Sequence, residues 1–186
     1  MCFFYLFDKK RQNLTKNKSI REEISHLCGI LGLGGEYMKN SYEINTSTLA
    51  IIPVDEFTSR VVEETTEYII KKPSFEIIED SCMYFGSNYK GRYEGTKKLI
   101  GMNYKLPIII EESRNIIFFP TSSPKLIECM WISLNNLCDY YSENETSYIK
   151  FKNGYELKVD ISKFALENQV LRASRLESVL QSRKNG

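Results

Sequence analysis

Lys90, Arg92, Lys97 and Lys98 crowd one short stretch, interleaved with Tyr89 and Tyr93 and flanked or interrupted by Gly86, Gly91 and Gly95. Ammonium and guanidinium groups neutralise phosphates, and aromatic rings sit favourably beside such cations. Glycines let backbone N–H groups come close to a partner. The chemistry open to this set is the holding of a polyanion. Arginine adds a preference for narrow A·T minor grooves, where negative potential concentrates. The same residue types also have an ordinary use, with tyrosines packed on a sheet and lysines turned to water. Neighbouring Tyr84 and Phe85 read as core. A second basic set, Arg172, Arg175 and Arg183, recurs along one side of a terminal helix. It either lies along phosphates, pairs with the acidic stretch from Glu56 to Glu67, or meets another subunit.

Catalysis has little to draw on. His26 is the single histidine, and neither a G-x-x-x-x-G-K-[ST] nor a G-x-G-x-x-G run occurs. Glu63-Glu64 and Glu111-Glu112 are adjacent carboxylates, but neighbouring strand residues point to opposite faces, so neither makes a natural acid–base pair. Five cysteines without paired C-x-x-C spacing argue against a disulfide framework and against zinc. Buried free thiols are the expectation, with no catalytic residue, metal ligand or cofactor.

The elements that must position the basic residues can be read from apolar patterning. Thr48 to Val54, Arg60 to Glu63, Glu67 to Ile70, Phe75 to Ile78, Leu106 to Ile110, Asn115 to Phe119 and Cys129 to Leu134 read as strands. Trp131 is the expected core anchor. Ser147 to Lys152 alternates and is followed by Asn153-Gly154, which predicts a hairpin with a type I′ turn. The glycines of the 81–96 region argue against one long helix, so it reads as a short helix or two turns set in a loop. Pro107, Pro120 and Pro124 read as structural, the last two interrupting regular structure. Leu166, Val170, Ala173 and Leu180 predict one buried face of a helix from about Ser162 to Ser182. The fold class is therefore α+β, a mostly antiparallel sheet closed by a C-terminal helix.

Charge is close to balanced at +1 but unevenly spread. Residues 38–67 hold two basic and six acidic side chains, residues 86–105 five basic and one acidic, and residues 162–186 five basic and two acidic. A local basic patch can hold DNA on a chain that is neutral overall. No apolar run approaches the length of a membrane span, and a cytoplasmic location is expected.

The run from Ser81 to Thr96, then Lys105-Leu106-Pro107-Ile108, Phe119-Pro120-Thr121, Cys129-Met130-Trp131-Ile132-Ser133 and Phe164 to Arg172 with its Glu167-Asn168-Gln169 centre, occur in fixed order. Together they resemble the ComK family of bacterial competence transcription factors, from about Tyr42 to about Arg183. The resemblance implies a non-enzymatic activator of DNA-uptake genes that binds A+T-rich promoter boxes as an oligomer, chiefly from the minor groove. It implies A+T-rich double-stranded DNA, further copies of the chain, and an adaptor protein or RNA polymerase as partners, without a membrane. Tyr89, Lys90, Arg92, Lys97, Lys98, Arg172 and Arg175 are the expected DNA contacts. Minor-groove reading is also favoured because a lone terminal helix lacks a preceding helix at turn distance. The alternative is a regulatory or protein-interaction paralogue that keeps the fold and binds DNA weakly, a reading that the near-neutral charge favours. Some relatives carry a further charged tail associated with regulated proteolysis and full activation, whereas this sequence ends at Gly186.

Residues 1–37 match nothing in that family and read as a leader or extension before a domain spanning 38–186. Ser19-Ile20-Arg21-Glu22 resembles a capping box, and Ile20, Ile24, Leu27 and Leu31 fit one helical face. Gly34-Gly35-Glu36-Tyr37 can also be encoded by a ribosome-binding sequence, which would make Met38 the start.

Overall fold

Two groups of apolar residues that alternate along the same strands dictate the architecture, because the central strands of the main sheet bury both of their faces. A computed structural model describes residues 37–144 and 146–184. His26, Cys2, Cys28 and the segment from Ser19 to Leu31 lie outside the described residues. In chain order the elements are β1 (Tyr37–Lys39), β2 (Thr48–Asp55), β3 (Thr58–Glu63), β4 (Glu67–Ile70), α1 (Ser74–Tyr84), α2 (Tyr89–Ile100), β5 (Ile108–Glu111), β6 (Ile116–Pro120), β7 (Trp131–Ser133), β8 (Leu137–Glu143), β9 (Thr146–Phe151), β10 (Glu156–Val159) and α3 (Lys163–Lys184). The fold is α+β, and its sheets are antiparallel except where β1 pairs with β4.

The main sheet has seven strands in the order β1-β4-β3-β2-β7-β6-β5. On one face Ile51, Val61, Ile108, Ile110, Phe118 and Trp131 join Ile77, Ile78 and Cys82 of α1 in a core that also takes Tyr89 and Tyr93 of α2. On the other face Ala50, Ile52, Val62, Ile109, Ile117, Phe119 and Ile132 meet Ile149, Phe151, Leu157 and Val159 of a three-stranded sheet, β10-β9-β8, together with α3. The predicted helical face is buried as expected, with Leu166, Val170, Ala173 and Leu180 joined by Leu176 and Gln169. Trp131 is fully buried, as an anchor should be.

Several expectations are corrected. Phe75 to Ile78 is helix, not strand: Ser74, Ile77, Ile78, Ser81 and Cys82 are the buried positions of α1, spaced for a helical face. The 81–96 region holds a short helix as expected, but the loop around it shrinks to residues 85–88 between the end of α1 and α2. Gly86, at φ +72°, closes α1. Its N–H donates to Met83 O at 2.9 Å and that of Ser87 to Cys82 O at 3.0 Å, the paired bonds of a Schellman ending. Asn88 then caps α2, its Oδ1 accepting from Gly91 N at 2.7 Å. Tyr84 is 68% exposed and not core, because it lies past the last buried turn of α1. Asn153-Gly154 makes a hairpin, but only Gly154 has positive φ. Gly154 N donates to Phe151 O and Phe151 N to Tyr155 O, a three-residue loop ending in a left-handed glycine instead of a type I′ turn. Pro120 is the last residue of β6, where regular structure is expected to break. Cys82 and Cys129 are buried free thiols as expected, whereas Cys138 is exposed.

Candidate nucleic-acid interface

α2 carries the basic cluster on the side its buried residues leave free. Tyr89, Tyr93, Thr96 and Ile100 face inward, at spacings that place them on one side of a helix. By the same repeat Lys90, Glu94 and Lys98 stack outward with Lys97 beside them, and Gly91 and Gly95 form the adjoining strip. Lys90 and Lys98 are exposed and Lys97 is half-buried. None of the three lysines has an ion-pair partner among the described residues. The two glycines differ in kind. A Cβ at Gly91 would press on the capping Asn88 side chain at 3.2 Å, whereas one at Gly95 would meet nothing within 4 Å. An exposed helix interior gains about 1 kcal/mol from alanine in place of glycine. No contact among the described residues accounts for Gly95.

The remaining expected contacts divide by environment. Tyr89 is an inward residue: its ring meets Phe75 edge-on at 4.8 Å and Trp131 at 6.3 Å. Burial, above all, pushes its hydroxyl pKa well up, so Tyr89 holds α2 on the sheet as a neutral group. Arg92 is half-buried, and its Nε has no hydrogen-bond partner among the described residues. Burial raises the Cys82 thiol to about 11 against the pull of the Arg92 guanidinium.

Arg172 is committed to the framework. Its Nη1 donates to Tyr104 O at 3.1 Å and to Gln169 Oε1 at 2.9 Å, and its guanidinium lies 5.1 Å from the Tyr104 ring centre. Arg175, one turn on, is exposed. Arg183 is exposed in the last turn of α3, where a cation also complements the helix dipole. None of these arginines pairs with the Glu56 to Glu67 stretch among the described residues. α2 and α3 pack against one another, and the segment leaving α2 at Gly101 runs to Tyr104 and so to Arg172. The lysines of α2 and the first arginine of α3 are thereby linked through one loop.

One premise drawn from the sequence fails. α1 and α2 are consecutive helices separated only by residues 85–88, so the terminal helix is not the lone candidate for groove docking. The sequence signal lay in the alternation of Ser74, Ile77, Ile78, Ser81 and Cys82, masked because two of the five are serine. Among the described residues no cluster of side chains is arranged to hold a metal ion, and no helix is long and apolar enough to cross a membrane.

Comparison with known proteins agrees with the resemblance. The family model described as ComK protein matches residues 39–185. A protein named competence transcription factor, from Bacillus subtilis strain 168, is 32% identical over 147 residues, covering 77% of each chain. No solved structure gives a significant match.

Proposed function

The chain belongs to the ComK family, and from that premise we propose that it is a DNA-binding transcriptional activator of competence genes that recognises A+T-rich boxes largely through the minor groove. Lys90, Lys97 and Lys98 reach phosphates, Arg175 extends the contact along α3, and Arg92 and Tyr89 position α2. The observation that carries the interface is the outer face of α2, where among the described residues the lysines have no ion-pair partner and nothing crowds a Cβ at Gly95. Gly95 lets the duplex backbone come close to helix backbone. Lysines are point charges suited to phosphate, and this face lacks the Asn or Gln that pairs with adenine in the major groove. Further copies of the chain and RNA polymerase or an adaptor remain its proposed protein partners.

A second reading has its own observation. The α1–turn–α2 arrangement permits α2 to enter a major groove in helix-turn-helix fashion. Base substitution separates the two. I·C pairs change the major-groove surface but leave the minor groove almost A·T-like, whereas G·C pairs place an amino group there. I·C-substituted boxes are expected to keep most of the affinity and G·C boxes to lose it. Equal failure of both would transfer the reading to the major groove.

Gly95→Ala provides a test with opposed signs. The variant is expected to gain about 0.5–1 kcal/mol in stability from its helix propensity while binding DNA more weakly. Thermal melting and fluorescence anisotropy measure the two. A more stable variant that binds as tightly as the parent would remove this strip from the interface.

A further inference from the structure

The loop after α2 is built with more care than a connection requires. Three successive carbonyls are held by side chains from two helices: Tyr93 Oη donates to Asn103 O at 2.6 Å, Arg172 Nη1 to Tyr104 O at 3.1 Å, and Gln169 Nε2 to Lys105 O at 3.1 Å. Gln169 is 2% exposed, and its Nε2 also donates to Pro120 O at 2.5 Å, tying the loop to the end of β6. All this fixed backbone presents a tyrosine ring that is 60% exposed. Lys105 Nζ lies 5.5 Å from the centre of that ring, with the Arg172 guanidinium at 5.1 Å. Lys105 itself adopts φ +49°, a left-handed conformation that glycine takes freely and lysine does not. It makes no ion pair among the described residues. A lysine kept where glycine is easier, beside an exposed ring on an anchored backbone, signals a use outside the fold.

We propose that Tyr104 and Lys105 form a second DNA contact point, continuous with the α2 lysines, in which the Tyr104 ring packs on a deoxyribose of the duplex backbone and Lys105 reaches the adjacent phosphate. Arg172 and Gln169 are its positioning residues. This inference rests on the DNA-binding reading above. The occupant follows from charge complementarity, because two cations flank the ring, and from continuity, because Lys97 and Lys98 end the helix that feeds the loop.

The test uses the full chain and an A+T-rich duplex, with affinity measured by anisotropy across a salt series. Lys105→Gly removes one phosphate contact and relieves the backbone, so the log–log salt slope is expected to fall by about one unit while the variant melts no lower than the parent. Tyr104→Ser removes an uncharged contact, so affinity is expected to fall several-fold with the slope unchanged. Should both variants bind like the parent while α2 lysine variants lose affinity, the loop is not a contact and DNA binding by α2 stands. Should the parent itself show no salt-dependent, A+T-preferring binding, the DNA reading fails and this contact with it.

Discussion

Replacing Lys90, Lys97 and Lys98 together by glutamine is expected to cut affinity for an A+T-rich duplex by on the order of 10³ or more, since each charge-assisted contact contributes about 1.5 kcal/mol or more and about 1.4 kcal/mol is tenfold. The salt dependence should flatten by about three units if each lysine neutralises one phosphate. Stability should fall by no more than about 2 kcal/mol. The three side chains have no ion-pair partners among the described residues, and only Lys97 and Lys98 lie in the last turn of α2, where each favours the helix dipole by about 0.3–1 kcal/mol. Anisotropy at several salt concentrations, alongside thermal melting, separates a lost interface from a lost fold. A triple variant that binds with the parent's affinity and slope would remove α2 from the DNA site and favour the protein-interaction paralogue.

The largest effect on the fold is expected at Trp131. Truncation to alanine removes a fully buried indole from the core beneath α1 and α2, and such changes cost about 3–5 kcal/mol. That is a large share of the about 5–15 kcal/mol by which folded domains are stable. Trp131→Phe should be far milder. The indole Nε1 is buried and has no hydrogen-bond partner among the described residues, so phenylalanine sacrifices contact area but also discards an unpaired donor. Denaturant unfolding of the two variants measures the difference. A phenylalanine variant as unstable as the alanine one would mean that the N–H is satisfied after all. Because Tyr89 rests edge-on against Trp131, the alanine variant should loosen α2 as well, and DNA affinity should fall with stability.

How legible the molecule was depended on whether local pattern and global role agreed. β2, β6 and β7 were readable because their β-branched and aromatic runs are buried on both faces, and α3 because its apolar residues recur at helical spacing. α1 hid behind Phe75, Ile77 and Ile78, which look like a strand, while Ser74 and Ser81 disguised the helical face. Both serines use their place: Ser74 Oγ donates to Cys129 O, and Ser81 Oγ accepts from Ile44 N. α2 hid because its glycines count against helix in water, and only Gly91 has a local cause, in the cap. β8 was missed because a bulge between Leu137 and Asp139 breaks its alternation. The basic residues of the candidate site were named from type alone. Their division into outward lysines and framework residues such as Tyr89 and Arg172 was not visible, because Tyr89 packs on Trp131 and Arg172 donates to Tyr104, each a partner remote in sequence.

The strand order holds a consequence for how the chain assembles. β4-β3-β2 and β7-β6-β5 are two meanders of sequence-adjacent strands, joined by short connections except for residues 121–130 between β6 and β7. They are joined only where β2 meets β7, with Ala50 opposite Ile132 and Ile51 opposite Trp131. That pairing closes a long loop containing both α1 and α2, and loop-closure entropy makes such non-local contacts slow to form. The chain has one tryptophan, and it sits on this seam. Its intrinsic emission therefore reports on β7 in two steps, once when Trp131 pairs with Pro120 inside its own meander and again when it meets Ile51 across the seam.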